Sequence, residues 1–414
     1  MSFATQNYDG CVVGAGFAGI AAAVQSARLG LKTVLIEKSA ALGGVAHTGM
    51  HQQLCGLYLN TDTSPKETLN GGLSREVAEG LLARKGSRAL NMGKLAVLQY
   101  DPQQLNHLLS DLVKMETNLE ILFESRVEAV QVENQTIKQI CIRTKEEKTW
   151  IHVRALIDGS AGEVVRLSGA SYELARAGER QLAAYAVEIE DTTGDPHMMN
   201  LKVAYHLARA AESGEIGRDL RYSIWLSGRN NHNGVLRISV LPSDGIYDVE
   251  AIRNKAIRVH EVLKKKISEF RVSRIAGMAP GVSEREGIRM TGRYRLTEKD
   301  VLEGRKFEDG HVKSAWPIEF WDQRKGPQYH YIPDGDYYEI PTRSLRSRDI
   351  TNLFAAGRCI STDSKALASV RVTGTCLALG EQSARAMCSY LAATPGDNSE
   401  HPRFSANEHR CPSS

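Results

Sequence analysis

Two short apolar runs near the start of the chain, Tyr8–Val13 and Lys32–Glu37, enclose a stretch from Gly16 to Gly30 in which small residues predominate. Runs of that length read as strands, and the small-residue stretch as a helix, so the opening predicts a strand–helix–strand unit. From Ser39 to Gly93 no period is sustained and Gly, Thr, Asn and Ser abound, the pattern of a long irregular segment that lines a site. At Asp101 the pattern sharpens. An acidic cap and Pro102 at the first helical position precede Leu105, Leu108, Leu109, Leu112 and Val113, which mark one buried helix face. Four strand-like runs follow: Leu119–Phe123, Val127–Val132, Ile137–Thr144 and Trp150–Ile157. Polar turns at Glu133–Thr136 and Lys145–Lys148 separate the later ones into a meander.

From about Gln181 to Tyr331 aromatics and histidines become more frequent and the pattern mixes helix and strand. The clearest element is a helix over Asp248–Phe270, where Val249, Ile252, Ala256, Val259, Leu263, Ile267 and Phe270 recur at three- and four-residue steps. Lys264, Lys265 and Lys266 then fall near its C-terminus, where positive charge is favoured. These shifts predict an inserted α+β unit over residues 181–335 in a first domain formed by residues 1–180 and 336–392. A flexible Pro-, Ser- and Asn-rich tail is expected over 393–414.

Composition narrows the class. In 414 residues, 42% are hydrophobic and 24% charged, which excludes a disordered, collagen-like or coiled-coil chain. The 52 basic residues against 49 acidic give a net charge of +3, too small for a dedicated nucleic-acid binder. Seven scattered cysteines (Cys11, Cys55, Cys141, Cys359, Cys376, Cys388 and Cys411) form no CxxC pair and no zinc spacing. Reduced thiols in a cytoplasmic protein are expected. No signal-peptide pattern opens the chain, and the apolar stretch Val12–Val24 is too short and glycine-rich to span a bilayer. No metal and no membrane partner are expected, while oligomerisation stays open.

Between the first strand and helix lies Gly14-Ala15-Gly16-Phe17-Ala18-Gly19. In that context the three glycines serve different ends. Gly14 permits a tight turn, Gly16 lets backbone approach a pyrophosphate, and Gly19 lets helix and strand pack closely. The helix N-terminus offers free amides to phosphate oxygens. Glu37, at the end of the second run, is placed to grip an adenosine ribose. This set points to a dinucleotide without choosing between NAD and FAD.

Further segments carry a resemblance. They are Lys38 to Gly44, Ala155 to Gly162, Glu284 to Thr297, Tyr338 to Leu345 and Asn352 to Ser361. Together with the loop, the chain resembles the FAD-dependent oxidoreductase family, glutathione-reductase-like flavoproteins related to the succinate dehydrogenase and fumarate reductase group. The resemblance covers most of the chain and is weakest between about Gln181 and Ser273. It implies an α/β fold, with a glutathione-reductase-like, Rossmann-type FAD-binding domain and an inserted α+β substrate domain. It also implies FAD contacts at Gly14, Ala15, Gly16, Phe17, Ala18, Gly19, Glu37, Lys38, Gly43, Gly44, Val45, His47, Val127, Gly159, Gly357 and Arg358. Arg371, Thr373, Gly374 and Thr375 belong to the same set, at a helix whose N-terminus points to the flavin pyrimidine, with Thr373 as a candidate N-cap. Related flavoproteins often carry an acidic residue where this chain has Arg358, which here is either a phosphate donor or a surface arginine. Some relatives attach a histidine near His47 covalently to the flavin, so His47 is a candidate for attachment or for lining. His51 and Cys55 share its segment, Cys55 with a buried inert thiol as the default.

No second glycine fingerprint and no cysteine pair beside Gly43-Gly44 is present. Electrons are therefore expected to arrive as substrate, oxygen or a partner protein. Arg289, Arg293, Tyr338 and Arg371 are the leading catalytic candidates, with Arg285, Tyr294, Arg343, His330 and Tyr331 as further lining or interface residues. Guanidinium forks suit carboxylate or phosphate, and a phenol or arginine can deliver a proton. The expected activity is hydride transfer on a polar, anionic small molecule. The alternative is an electron-transfer subunit that works with a redox partner protein. An RNA-directed enzyme fits the balanced charge poorly.

Overall fold

The computed structural model describes residues 7–60, 67–145, 147–228, 232–243 and 246–394. Most of the expected tail therefore lies outside the described residues. A parallel sheet forms the base of the fold. Strand Asn7–Val13 sits between Thr33–Ile36 and the far half of Lys148–Asp158, with Leu119–Leu122 and Leu353–Ala355 outside them. Cys11, Val12, Val34 and Leu156 are wholly buried, as expected of a sheet covered on both faces. The register is the feature that matters for function. Val13 lies opposite Ile36 and Asp158, and Asp158 lies opposite Ala355. The residues that follow these strands (Gly14, Glu37, Gly159 and Ala356-Gly357) therefore leave the sheet along one edge.

The near half of Lys148–Asp158 pairs antiparallel with Thr136–Arg143, which pairs with Arg126–Glu133, completing the expected meander. Helix Phe17–Arg28 is buried from Phe17 to Ala27, with no polar face. It is crossed by helix Thr373–Ala393 so closely that a Cβ at Gly380 would lie 2.0 Å from the Ala18 carbonyl oxygen. The small residues of both helices exist for that approach. Helix Pro102–Lys114 begins as expected, the Asp101 carboxylate accepting from the amides of Gln103 and Gln104.

The segment expected to be irregular is more ordered than its pattern suggests. Val45–Thr48 and Gly72–Leu82 are helical, and Gln53–Cys55, Leu95–Gln99 and Arg88–Met92 form a three-stranded antiparallel sheet. The first strand is too short for a period to register, and Leu95–Gln99 is buried at every position, so it shows no alternation.

The inserted unit carries its own antiparallel sheet, in the order Ile224–Ser227, Asn233–Val240, Ala183–Glu190, Arg274–Met278. Helices Pro196–Glu212 and Val249–Lys266 contribute to its apolar core, which gathers Tyr185, Val203, Leu236, Val259 and Phe270. The Asp248 side chain caps the second helix through the Ala251 amide, and a short turn, Ser268–Phe270, finishes the expected run. That core ends at Ala279, whereas Met290, Leu296, Val301, Ile318 and Phe320 pack with Tyr8, Val13 and Leu156 of the main sheet. Apolar packing thus divides near residue 280, and apolar residues between 290 and 332 pack beside the parallel strands. Among the described residues, no helix is long and apolar enough to cross a membrane.

Candidate functional site

The loop after the first strand is shaped by contacts that only glycine satisfies. Gly14 has φ +95°, and a Cβ there would fall 2.8 Å from the Gly159 carbonyl. A Cβ on Gly19 would fall 1.7 Å from the Gly14 oxygen. Gly16 differs: a Cβ there meets nothing within 4 Å. Gly14 and Gly19 serve packing, while Gly16 turns an open backbone face outward at the start of helix Phe17–Arg28. Gly43 donates its amide to the Ala15 oxygen at 2.9 Å, bringing the Gly43-Gly44 turn against the loop.

Glu37 lies at the same edge and is 7% exposed. Its Oε2 accepts from the Ala15 amide at 2.6 Å, and its Oε1 accepts from the amide and hydroxyl of Ser39, each at 2.8 Å. A carboxylate has further lone pairs, so these bonds orient it while leaving acceptor capacity for ribose hydroxyls. Asp158, which the sequence pattern does not single out, organises the neighbouring turn. Its Oδ1 accepts from the amide and hydroxyl of Ser160, and its Oδ2 accepts from the Val165 amide. Lys38 and His47 are exposed at this edge. Val127 has its side chain in the core, so only its backbone is free to meet a ligand.

At helix Thr373–Ala393 the N-cap is Val372, and Thr373 stands in the first turn. This corrects the expectation that Thr373 caps the helix. Its hydroxyl instead accepts from the Cys55 amide at 3.1 Å and lies 3.3 Å from the Gln53 oxygen, binding the helix to strand Gln53–Cys55. The Thr375 hydroxyl lies 3.3 Å from that of Ser314. Arg358 donates to the Glu284 carbonyl at 2.6 Å and is half-buried, so it is no free surface arginine.

The four leading catalytic candidates stand in different surroundings. Tyr338 is wholly buried, its hydroxyl 2.6 Å from that of Ser369, which donates to the Trp316 carbonyl; burial pushes its acidity far from the working range. Arg289 is buried with Glu286 at 3.3 Å and donates to the Thr362 carbonyl, an internal ion pair. Arg293 is exposed, its backbone amide donating to the Arg343 carbonyl at 3.1 Å, and Arg343 itself lies over Tyr294 and beside Asp309. His330 and Tyr331 are also exposed.

Arg371 belongs to a different, half-buried group. It donates to the Gln181 Oε1 at 3.3 Å and the Glu319 carbonyl at 3.1 Å. Arg285 joins it, donating to the Leu182 carbonyl and stacking 4.1 Å from the centre of the Trp321 ring. Arg285 is pushed down to about 9, first by burial and then by repulsion from Arg371 and Arg237, with Glu319 pulling the other way. The His51 imidazole is held well below its ordinary value by burial and by Arg237, which keeps it neutral. Burial raises the Cys55 thiol to about 12, so it is inert as a nucleophile. Arg237 and Glu319 are not among the residues that the sequence marks by motif. A signal exists for Arg237, since it interrupts the apolar run Val235-Leu236-Arg237-Ile238, and arginine is seldom placed inside such a run without a purpose. A surface hollow of about 580 Å³, lined by Gly214, Lys255 and Arg258, contains none of these groups.

Several comparisons bear on this arrangement. The tRNA uridine 5-carboxymethylaminomethyl modification enzyme MnmG of Desulfitobacterium hafniense is 30% identical over 149 residues, 35% of this chain and 22% of that enzyme. The chain thus aligns with about a fifth of the curated relatives it matches. Among solved structures, OxyS anhydrotetracycline hydroxylase from Streptomyces rimosus superposes with a TM-score of 0.51 at 13% identity, over 94% of this chain and 63% of that one. A flavin-dependent brominase, Bmp2, gives a TM-score of 0.50 at 13% identity, over 94% and 81%. At such identities these two speak for the fold alone. The sequence profile of the FAD dependent oxidoreductase family matches residues 9–398. With the glycine loop, the oriented Glu37 and the parallel sheet in place, the chain belongs to the FAD-dependent oxidoreductase family.

Proposed function

We propose that the protein transfers a hydride between FAD and an anionic small molecule bound at the Arg237–Arg285–Arg371 cluster. The residues at the strand ends fit this cofactor. Gly16 presents open backbone where a pyrophosphate must come close, and Glu37 is a buried carboxylate with spare acceptor capacity where a ribose is expected. On this reading Gly14 to Gly19, Glu37, Gly43 and Gly44 hold the adenosine diphosphate half. Arg358 serves the phosphates, and Thr373, Gly374 and Thr375 approach the ring system. FAD, when bound, supplies two-electron oxidation or reduction.

This chain's own residues do the rest. The positive end of helix Thr373–Ala393 favours negative charge near its first turn. Arg371 and Arg285 hold an anion, their forks suited to paired oxygens. His51 stays neutral beside them, so it adds no further positive charge to the cluster. The observation that carries the reading is the position of Arg371. It closes the helix Ser364–Val370 and precedes the helix Thr373–Ala393, tying the anion-binding group to the proposed flavin end. The tRNA substrate named for the relative belongs to an enzyme matched over a fifth of its length. The near balance of charge here supports a small substrate instead. Six free cysteines among the described residues support a cytoplasmic location.

The test is a spectrum of the purified protein, followed by anaerobic addition of anionic candidate substrates. Yellow protein bleached by a carboxylate or phosphorylated compound supports the proposal. A colourless protein that takes up no added FAD overturns it. Acid precipitation then separates bound from attached flavin: colour kept in the pellet shows covalent attachment, for which the exposed His47 is the candidate and the buried Cys55 thiol is not.

A further inference from the structure

Three half-buried guanidiniums from separate parts of the chain lie close enough to act on one another or on a shared carboxylate: Arg237 from strand Asn233–Val240, Arg285 from the segment after Arg274–Met278, and Arg371 from between two helices. One carboxylate, that of Glu319, acts electrostatically on all three. Both of its oxygens are already engaged by indole N–H groups, from Trp316 at 3.1 Å and Trp321 at 2.8 Å. Glu286 also attracts Arg371, but its oxygens are committed to Arg289 and the Gln181 amide. Arg358 adds repulsion at Arg371 and is the candidate for the cofactor's phosphates. Three cations and one carboxylate, all half-buried, leave an excess of two positive charges, and partly desolvated charge without a counterion favours an anion that supplies one.

The hydrogen bonds repeat the imbalance. The Nε atoms of Arg237 and Arg371 and the Nε2 of Gln181 are sealed from solvent and have no partner among the described residues. His51 Nδ1 is in the same condition. All but the imidazole nitrogen are donors, so the ligand must bring acceptors. The three arginines are not equally committed. Arg285 is clamped on Trp321 and the Leu182 carbonyl, and Arg371 on Gln181 and the Glu319 carbonyl. The Arg237 guanidinium makes no hydrogen bond or ion pair among the described residues.

We infer that this site selects a ligand bearing two negative charges on oxygen, and that Arg237, supplied by the inserted unit, reads the second charge. The inference rests on the proposed role of the cluster as substrate site. Arg285 and Arg371 form the fixed half, and Arg237 completes the site when the second anionic group arrives. Two carboxylates on one small molecule and one phosphate monoester share this chemistry.

The experiment uses the full FAD-loaded chain at pH 8, titrated with malonate, inorganic phosphate or acetate. Flavin absorbance and the thermal midpoint are both followed. A dianion is expected to bind about tenfold or more tighter than acetate, the range for a charged hydrogen-bonding partner. Arg237→Met is expected to erase that gap while FAD uptake and acetate binding persist, and Arg237→Lys to restore most of it. A preference for malonate identifies a dicarboxylate, and a preference for phosphate identifies a phosphate monoester. Acetate bound as tightly as both dianions, or a gap that survives in Arg237→Met, overturns the inference and leaves the FAD reading intact. A colourless protein that still discriminates by thermal midpoint keeps the dianion site and overturns the proposed flavin chemistry.

Discussion

The glycine loop and the arginine cluster are built by different means. The loop spans six consecutive residues, and backbone shape does its work: Gly14 and Gly19 touch backbone too closely for any side chain. The cluster takes its members from Gln181, Arg237, Arg285, Glu319 and Arg371, and works through charge and forked donors. Errors in the first are therefore steric and global. Errors in the second are electrostatic and local.

The largest expected effect is on the loop. Gly19→Val would push a side chain into the Gly14 oxygen, so folded, coloured protein is expected to be lost, at a cost above about 4 kcal/mol. Gly16→Ala is its counterpart, since its side chain meets open space. Stability without FAD should move by no more than about 1 kcal/mol, at the N-cap, while FAD affinity falls. Urea unfolding with flavin titration reads both, and equal damage from the two variants would break the distinction.

Arg289→Met comes next. It strands the Glu286 carboxylate in the interior and should cost about 3 kcal/mol in urea unfolding, with KM for any substrate unchanged in the protein that folds. Arg371→Met should do the reverse: an affinity for anions about 10- to 100-fold weaker with little change in unfolding midpoint. If Arg289→Met instead raised KM while leaving stability alone, the separation of structural from ligand-binding arginines would fail.

A smaller effect sharpens the electrostatic side. His51 is held below its ordinary value, so the unfolded chain takes up a proton that the folded one refuses once pH drops below about 6.5. Stability should then fall with falling pH, by up to about 1.4 kcal/mol per unit. His260, lowered to about 4 mainly by burial, adds a slope of the same sign between about 6.5 and 4. His51→Gln should flatten part of the dependence between pH 7 and 5.5, as read from urea midpoints. An unchanged slope would place its origin elsewhere.

Legibility in the sequence follows the same divide. The cap at Asp101, the helix that begins at Asp248, the meander and the glycine loop are readable because each depends on residues near one another in the chain. Tyr338 and Arg289 pass for reactive groups because their residue types suit catalysis. Only burial beside Ser369 and Glu286 reveals their structural roles. The strands Gln53–Cys55 and Leu95–Gln99 escape a reading by pattern because they are short or buried on both faces, which removes the alternation that announces a strand.

What this sequence determined alone was the dinucleotide edge. A positive φ at Gly14, a close approach at Gly19 and an acidic residue after the next strand are local demands that a few neighbouring positions can meet. Only the tertiary structure decided which arginines gather around Glu319 and which pair with Glu286. A guanidinium's role depends on the groups around it, and those around Arg371 come from residues as distant in the chain as Gln181, 190 positions away.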